Sequence, residues 1–315
     1  MKKITLIFAA MVLALSLVGC AKKDSRLQIG IIQLVEHDAL DANRQGFIDG
    51  LAAAGYVDGE NIVIDFQNAQ GEQANCSTIA DKFVSDRKDL IFAIATPAAQ
   101  AVAGKTSSIP IVISSVTDPV SAELADSNEH PGHNVTGTSD LNPCAAQIDL
   151  LKQILPEART VGILFCSAEE NSRFQVELAE KQCDKIGLSY LEFTVSNTNE
   201  VQQVVQSMAG KVDAIYAPTD NMIANAMATV AMVATENGLP IICGEDALVK
   251  NGGLATYGLN YYELGKQTAA MAVDILKNGS DPAEMPIQYL SKYDFSYNES
   301  VAEALGITIP SYLLK

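Results

Sequence analysis

Short apolar runs alternate with helix-period segments along most of this chain. The runs carry Ile, Val and Leu in continuous order, as in Leu90–Ala95, which is typical of strands buried on both faces between layers of helices. Between two such runs, Val201–Met208 has apolar residues at the i, i+3, i+4 and i+7 positions of an amphipathic helix. This alternation of strands and helices predicts an α/β fold with parallel sheets.

The predicted strands fall into two sets that share a repeated arrangement. In both sets a strand leads into a polar turn, an Ala-rich helix and a further strand introduced by proline, Pro110 in the first set and Pro240 in the second. The repetition predicts two similar lobes, each with its own sheet. The first set comprises Leu27–Gln33, Ile62–Gln67, Leu90–Ala95, Ile111–Ser115 and Asn134–Gly137, and the second Thr160–Phe165, Ser189–Val195, Ala214–Ala217, Ile241–Gly244 and Leu254–Tyr257.

The chain is predicted to cross between the two lobes three times, and the crossings together form a hinge. The first crossing follows Ser139, the second lies near Asn260, and the third precedes the last predicted strand, Ile287–Tyr293. The predicted first lobe comprises residues 27–139 and 260–285, and the second lobe comprises residues 140–259 and 286–315.

The N-terminus has the features of an export signal. A short basic start, Lys2-Lys3, precedes a mostly apolar run over Ile4–Val18, which is shorter than the roughly 20 residues that a membrane-spanning helix needs. The run ends in Leu17-Val18-Gly19-Cys20, which resembles the lipobox of bacterial lipoproteins. That resemblance implies cleavage after residues 1–19, lipid attachment to Cys20, a tether over residues 20–26, and a location in the bacterial cell envelope, anchored outside the cytoplasm. The alternative is an ordinary signal peptide in which Cys20 has no such role.

Composition and motifs exclude several classes of function. The chain carries 38 Asp and Glu against 21 Lys and Arg, a net charge of −17, and such an acidic surface repels the phosphates of nucleic acids. The sequence has no G-x-S-x-G, H-E-x-x-H or phosphate-binding loop, so we do not expect an enzyme. His130-Pro131-Gly132-His133 offers metal donors, but its Pro-Gly centre favours a surface turn, and neither metal nor cofactor is predicted. None of the six cysteines lies in a C-x-x-C pair, so buried thiols are expected, with a disulfide or two left open.

Polar residues follow the predicted strands at their carboxyl ends, where open parallel sheets bind ligands. Carboxylates and amides dominate, which favours an ammonium group on the ligand, while the helix N-termini after Thr96 and Asp220 favour a carboxylate. The pattern therefore predicts that the ligand is an amino-acid zwitterion. For any single residue, a helix cap or a turn is an equally good interpretation. The predicted contacts are Gln33, His37, Thr96, Asp118, Ser139, Asp140, Asn171, Thr219, Asp220, Asn221, Glu245 and Asn260.

Several short motifs occur in order through nearly the whole chain. They are Ile29-Gly30-Ile31-Ile32-Gln33 with His37, Ile94-Ala95-Thr96-Pro97-Ala98-Ala99-Gln100, Thr117-Asp118-Pro119, Asn134-Val135-Thr136-Gly137, Ser139-Asp140, Asp220-Asn221, Gly252-Gly253-Leu254-Ala255 and Leu305-Gly306-Ile307-Thr308-Ile309-Pro310. With these motifs, the chain resembles the solute-binding proteins of bacterial ABC importers, and within them the tryptophan/tyrosine-binding branch.

The resemblance implies a type I periplasmic-binding fold, with two Rossmann-like lobes, a three-strand hinge and closure around a solute. It also implies an aromatic amino acid (Phe, Tyr or Trp) as the ligand, an ABC permease as the partner, and a monomer without cofactor or catalytic activity. By the same resemblance, the ligand carboxylate is bound by backbone donors of the segment Thr96-Pro97-Ala98, its amino group by Asp118, Asp140, Asp220 and Asn221, and its side chain by Gln33, His37 and Glu245.

Three alternatives to an amino-acid binder stay open. A sugar- or nucleoside-binding protein of the same fold would use Phe47 or the tyrosines in place of the tryptophan that the chain lacks. The effector domain of a transcriptional regulator is disfavoured because no DNA-binding region precedes Leu27. A hydrolase is disfavoured by the missing nucleophile and base.

Overall fold

The structure is a computed structural model that describes residues 25–314. The predicted signal peptide over residues 1–19, the lipidated Cys20 and most of the tether over residues 20–26 lie outside the described residues. Among the helices of residues 25–314, none combines the length and the apolar character that a bilayer crossing requires.

Strands and helices alternate along the described chain, as the pattern of apolar runs predicts. The strands are β1 (Leu27–Gln33), β2 (Ile62–Asn68), β3 (Leu90–Ile94), β4 (Ile111–Val116), β5 (Val135–Ser139), β6 (Thr160–Cys166), β7 (Ser189–Val195), β8 (Ala214–Ala217), β9 (Ile241–Cys243), β10 (Ala255–Gly258), β11 (Gln288–Tyr289) and β12 (Asp294–Tyr297). The α-helices are α1 (Asp38–Ala53), α2 (Gln73–Ser85), α3 (Thr96–Ala103), α4 (Cys144–Ile154), α5 (Glu170–Ile186), α6 (Val201–Met208), α7 (Asn221–Asn225), α8 (Met227–Glu236), α9 (Asp246–Lys250), α10 (Tyr261–Asn278) and α11 (Glu299–Ala304). Short 3-10 helices occupy Thr198–Glu200, Pro282–Glu284 and Ser311–Leu314.

The strands form two sheets of six, one in each lobe. The first sheet has the order β11-β5-β4-β3-β1-β2, and all its neighbours are parallel. The second has the order β12-β10-β9-β8-β6-β7, in which only β12 runs antiparallel to its neighbour. The predicted α/β fold with two parallel-dominated sheets is confirmed.

Both faces of the second sheet are buried at its centre, as the strand β6 demonstrates. Val161, Ile163 and Phe165 belong to one apolar cluster, whereas Leu164 and Cys166 belong to another. Because successive side chains of a strand point to opposite faces, the two clusters lie on the two sides of the sheet. Continuous apolar runs in this sequence therefore mark strands covered by helices on both sides.

The long helix α10 belongs to the first lobe, although it follows the strands of the second. It crosses α1 at very short range: a Cβ atom on Gly46 would lie 2.0 Å from the carbonyl oxygen of Tyr262. A Cβ atom on Gly265 would lie equally close to the carbonyl oxygen of Asn43. The close approach of the two helices requires glycine at both positions.

The chain passes between the sheets at three places, over residues 140–143, 259–260 and 290–293. The third place corrects the prediction, in which Ile287–Tyr293 was one strand of the second lobe. Instead, β11 pairs with β5 in the first sheet, and β12 pairs with β10 in the second. Both short strands consist of polar and aromatic residues, so only their pairing partners reveal the crossing between them.

Every described cysteine is buried and unpaired, which agrees with the expected buried thiols. Burial raises the pKa of each of these thiols, so all are held in the unreactive protonated form. The residues concerned are Cys76, Cys144, Cys166, Cys183 and Cys243.

Candidate functional site

An enclosed cavity of about 10 Å³, room for a single water molecule, lies between the carboxyl ends of the two sheets. Residues from both lobes line it, together with Asp140 of the first crossing and Tyr261, which follows the second crossing. Of the predicted ligand contacts, the structure brings seven together here. The lining residues are His37, Leu40, Ser115, Thr117, Asp140, Asn171, Thr219, Asp220, Asn221, Glu245 and Tyr261.

Asp140, Glu245 and Tyr261 form a group on the hinge side of the cavity, which we call the hinge cluster. The Tyr261 hydroxyl donates to Asp140 Oδ2 at 2.8 Å, and the Thr117 hydroxyl donates to Asp140 Oδ1 at 3.4 Å. Glu245 is only 1% exposed, and its Oε2 atom has no hydrogen-bond partner. The hinge cluster thus holds two buried carboxyl groups with few donors between them.

The pKa values of the hinge cluster follow from this poor solvation. Burial raises the pKa of Glu245 to about 8, the nearby Asp140 carboxyl raises it further, and the Tyr261 hydroxyl opposes the rise. Burial also raises the pKa of Asp140 to about 6, against the hydroxyls of Tyr261 and Thr117. No lysine or arginine lines this cavity within the described part of the chain. A cation in the cavity would therefore stabilise the ionised form of both carboxyl groups.

Glu169 and Asp220 form a second group, the cap cluster, at the N-terminus of the short helix α7. Asp220 Oδ1 accepts from the Ile223 N–H at 2.8 Å, and Asp220 Oδ2 accepts from the Cys166 N–H at 2.6 Å and the Ser172 hydroxyl at 2.7 Å. Burial raises the pKa of Asp220 against these bonds. Asp220 was predicted to hold a ligand amino group, and it does line the cavity, but both of its oxygens already bond to the fold.

Glu169 completes the cap cluster from the end of β6. Its Oε1 atom accepts from the Met222 N–H at 3.0 Å, and its Oε2 atom accepts from the side chain of Asn221 at 2.6 Å and from that of Asn171 at 3.1 Å. Burial and the charge of Asp220 together raise its pKa to about 7. Sequence reasoning missed Glu169, although Asn171, which follows the same strand, was among the predicted contacts.

The first lobe presents hydroxyl groups to the cleft from two adjacent strand ends. Ala95 after β3 and Ser115 in β4 both adopt positive φ, 82° and 54°, which costs free energy for residues other than glycine. The hydroxyls of Thr96 and Ser115 are buried and have no partner. Because Ile94 pairs with Ser114, Thr96 at the start of α3 and Ser115 in β4 lie at the ends of neighbouring strands. Ser115 was missed by sequence reasoning, although two adjacent serines in an apolar strand are a visible signal.

Buried polar atoms without a partner concentrate at this cleft. Of nine such side-chain atoms in the described residues, four belong to residues that line the cavity, and a fifth belongs to Thr96, which follows the neighbouring strand β3. Since nearly all buried polar atoms in folded proteins are hydrogen-bonded, such a concentration indicates a ligand site. The five atoms are His37 Nδ1, Thr96 Oγ1, Ser115 Oγ, Asn171 Oδ1 and Glu245 Oε2.

Several predicted contacts lie outside the cavity, and local bonds explain three of them. Gln33 bonds to both Asp41 and Arg44, which fixes the loop between β1 and α1. The Asp118 carboxylate accepts from the N–H of Ser121 in a turn. The Ser139 hydroxyl donates to the Thr117 carbonyl at 2.7 Å.

The remaining predicted contacts outside the cavity lie at helix starts. Asn260 caps α10 by accepting from the Glu263 N–H, and it is exposed. Pro97 and Ala98 form the first turn of α3, directly after Thr96. Any ligand contact from these two residues would come from backbone groups and not from their side chains.

Residues that sequence reasoning missed connect the crossings to the site. The Asn142 side chain donates to the Asp140 carbonyl at 3.0 Å and accepts from the Leu259 N–H at 3.1 Å, which joins the first two crossings. Gln175 donates to the Thr219 carbonyl at 2.9 Å and approaches the Thr117 hydroxyl at 3.4 Å. Both amides hold cavity residues in position by bonds between segments that are far apart in the sequence.

Hydrogen bonds also cross the cleft at its rim. Gln100 of the first lobe donates to Glu170 of the second at 3.0 Å, and Asn251 donates to Asp38 at 2.9 Å. His37 Nε2 lies 3.4 Å from Asn221 Oδ1. The lobes are therefore in direct contact, in a closed arrangement.

Among residues 25–314, no group of three or more His, Cys, Asp or Glu side chains has an arrangement suited to a metal. The two histidines of the Pro-Gly turn lie on the surface, where His133 approaches Asp126 at 3.3 Å and His130 approaches Glu284 at 3.7 Å.

Two solved structures match the whole domain but differ in how well they superpose. An ABC domain from Streptococcus pneumoniae in complex with L-Trp is 40% identical, with a TM-score of 0.89 over 92% of this chain and 98% of its own. A ligand-free, open substrate-binding protein with adhesive properties from Clostridium difficile is 46% identical, with a TM-score of 0.70 over 90% of this chain and 96% of its own. The relative with more identical residues superposes less well, so the lobes here are arranged more like those of the L-Trp complex.

Two sequence comparisons identify the family. A tyrosine-binding protein of Clostridioides difficile is 42% identical across 97% of this chain and 93% of its own length. The model of the family described as ABC transporter substrate binding protein matches residues 28–315. Proteins of this kind bind solutes outside the cytoplasm for an ABC transporter. The chain belongs to the family of ABC transporter substrate-binding proteins.

Proposed function

We propose that this protein binds an aromatic amino acid between its lobes and delivers it unchanged to an ABC permease. The observation that carries the proposal is the set of buried, unpartnered atoms at the cleft, because its acceptors and hydroxyls match the two ends of a zwitterion. The similarity to a tyrosine-binding protein and to a structure with L-Trp supports an aromatic side chain on that zwitterion.

The ligand's ammonium group is assigned to the hinge cluster. Glu245 Oε2 is a buried acceptor without a donor, and Asp140 adds a second carboxyl group beside it. An ammonium group supplies three N–H donors and a positive charge, so it would remove the cost of burying these two carboxylates. Asn171 Oδ1 is a further unpartnered acceptor on the same cavity.

The ligand's carboxylate is assigned to the first lobe. The unpartnered hydroxyls of Thr96 and Ser115 are donors of the required kind, and no carboxylate of the described residues is bonded to either. The first N–H groups of α3, at Thr96 and Ala98, have no partner within the helix and favour a negative charge. Pro97 contributes no N–H but supports the start of the helix.

Binding requires the lobes to separate and close again. The enclosed space of about 10 Å³ is far too small for an amino acid, so the ligand enters an open cleft. Since groups for the carboxylate lie on the first lobe and groups for the ammonium lie on the second, only the closed form contacts both ends of the ligand. The ligand therefore shifts the equilibrium towards closure, and the closed form is the one that the permease receives.

We further propose that the protein is a monomer anchored by a lipid on Cys20, with no catalytic activity. The division into a first lobe of residues 27–139 and 260–285 plus β11, and a second lobe of the remaining residues, is part of this proposal. The apolar run that ends in Gly19-Cys20 supports the anchor. Lipidation keeps the binding site close to the permease without a membrane-spanning helix.

Titration calorimetry of the full-length protein in detergent tests the proposal with a panel of ligands. We expect micromolar binding of L-Tyr or L-Trp, which corresponds to about −8 kcal/mol. N-acetyl-L-tyrosine lacks the ammonium group and tyramine lacks the carboxylate, so both should bind at least about tenfold more weakly. Binding of ribose, myo-inositol or a nucleoside, with none by any amino acid, would overturn the proposal.

A further inference from the structure

His37 lies on the cavity at a position where helix capping would be expected, but its side chain does not cap. It precedes α1 with an extended backbone, φ −159°, and makes no side-chain bond to the helix. Its Nδ1 atom is buried and unpartnered, and its Nε2 atom lies 3.4 Å from Asn221 Oδ1 on the other lobe. The ring therefore faces the ligand cavity with one nitrogen engaged and one free.

The cap cluster determines which atom of Asn221 faces His37. Glu169 Oε1 accepts from the Met222 N–H, and Glu169 Oε2 accepts from the Asn221 N–H at 3.2 Å. A backbone N–H can only donate, so both oxygens of Glu169 act as acceptors. The Asn221 side-chain atom that lies 2.6 Å from Glu169 Oε2 must then be the amide nitrogen. The amide oxygen is left to face His37.

The orientation of Asn221 in turn determines the tautomer of His37. An amide oxygen only accepts, so the Nε2 atom of His37 carries the hydrogen. Burial lowers the pKa of His37, against the bond to Asn221 and the charges of Asp41 and Asp38, and this keeps the ring neutral. In a neutral ring with hydrogen on Nε2, the Nδ1 atom is a bare acceptor.

We propose that His37 Nδ1 accepts a hydrogen bond from the ring of the bound amino acid, and that it selects tyrosine and tryptophan over phenylalanine. This inference rests on the proposed function and specifies its ligand class: an aromatic amino acid with a donor on its ring, a phenol O–H or an indole N–H. Phenylalanine has no such donor, so it would leave Nδ1 buried and unpaired. A site built to bond a polar group rejects the analogue that lacks it.

The surroundings of His37 fit the ring of such a ligand. Leu40, three residues further on the first turn of α1, is buried and lines the same cavity. It offers an apolar surface beside the acceptor, as an aromatic ring with a polar edge requires. Because the contact of His37 with Asn221 bridges the lobes, the acceptor tautomer is enforced in the closed form, when the ligand is enclosed.

The first test compares affinities in the full-length protein and in His37→Phe, which keeps an aromatic ring but removes both nitrogens. For the unaltered protein we expect L-Tyr and L-Trp to bind at least about tenfold more tightly than L-Phe, a difference of about 1.4 kcal/mol. In His37→Phe this ratio should fall to about one, with L-Phe bound no more weakly than before. Equal affinity of the unaltered protein for L-Tyr and L-Phe would overturn the inference while leaving the proposed function intact. Failure of all three to bind would overturn both.

The second test reads the tautomer directly and does not depend on a variant in the site. The chain has three histidines, and the side chains of His130 and His133 are 76% and 56% exposed. The untagged double variant His130→Gln, His133→Gln leaves His37 as the single histidine for ¹⁵N NMR. With L-Tyr bound, we expect hydrogen on Nε2 and a shift of the Nδ1 resonance that L-Phe does not produce. A hydrogen on Nδ1, or the same Nδ1 shift with both ligands, would contradict the assignment.

Discussion

The hinge cluster and the cap cluster each place two buried carboxyl groups on the same cleft, but they differ in the donors that surround them. In the cap cluster, Glu169 and Asp220 accept from backbone N–H groups on all four of their oxygens. In the hinge cluster, Asp140 accepts from two hydroxyls and Glu245 Oε2 accepts from none. Burial raises the pKa of the carboxyl groups in both places.

The difference separates carboxylates that stabilise the fold from those to which we assign the ligand's ammonium group. A buried carboxylate with several N–H donors is already compensated, and a ligand cation would have to compete with those donors. A buried carboxyl with an unused oxygen gains most from an incoming cation. The number of donors, not burial or residue type, therefore distinguishes the carboxylates that we propose to bind the ligand.

The largest effect on stability is expected for Asp220→Ala, which removes one of the two carboxylates of the cap cluster. It leaves the Cys166 N–H, the Ile223 N–H and the Ser172 hydroxyl without their acceptor, so the free energy of unfolding should fall by about 3 kcal/mol or more. Denaturant unfolding followed by circular dichroism measures this. Asp220→Asn keeps one acceptor oxygen and should lose about half as much. A stable Asp220→Ala protein that merely loses ligand would place Asp220 with the hinge cluster instead.

Glu245→Gln should have the opposite profile, with weakened binding and an intact fold. The variant removes the charge that faces the ligand's ammonium group, so affinity for L-Tyr should fall about 10- to 100-fold in calorimetry. Stability without ligand should be unchanged or higher, because the amide replaces a poorly solvated carboxyl. Unchanged affinity would remove Glu245 from the ammonium site.

The pH dependence of the free energy of unfolding should distinguish the contribution of Glu245 from those of Asp140 and Glu169. Burial raises the pKa of Glu245 from an ordinary value near 4.5 to about 8, so between these values the folded protein binds more protons than the unfolded chain. Stability without ligand should therefore decline as pH rises through this window, by at most about 1.4 kcal/mol per pH unit for one group. Between pH 7 and 8, where Asp140 with its pKa of about 6 is mostly ionised, Glu245→Gln should make the decline shallower. A profile that keeps the same slope in the variant would assign the decline to Glu169, whose pKa is about 7.

The smallest effect is expected for Asp118→Ala, a carboxylate outside both clusters. Its side chain bonds the Ser121 N–H in a turn and does not line the cavity, so the free energy of unfolding should fall by only about 0.5–1 kcal/mol. Affinity for L-Tyr should stay within about twofold in the same calorimetry. A large loss of affinity would support the role in amino-group binding that the family resemblance implies for Asp118.

Much of the fold could be predicted from the sequence because strands that are buried on both faces have continuous apolar runs. Strands β1 and β8 have the bounds that their apolar runs predict. The prediction failed at Ile287–Tyr293, where two short edge strands join different sheets. Edge strands are only partly buried, so their composition carries little information about the partner.

Several residues of the candidate site could be predicted from the sequence, but the role of each residue could not. His37, Asp140 and Glu245 were found because parallel sheets bring their strand ends together. Gln33 and Ser139 satisfy the same rule, yet their side chains bond to nearby groups of their own lobe. Tyr261 was missed as a site residue because it comes from a helix start after the second crossing, not from a strand end.

The sequence by itself determined the alternating α/β architecture, the two lobes and a cleft rich in carboxylates, since these follow from hydrophobic periodicity and strand ends. Only the tertiary structure decided which of these carboxylates receive hydrogen bonds from backbone N–H groups. The Cys166 N–H reaches Asp220 across 54 positions of sequence, and the Asn221 and Met222 N–H groups reach Glu169 across 52 and 53. Donors that come from so far along the chain leave no local pattern, because hydrogen bonding depends on distances in space that the order of residues does not record.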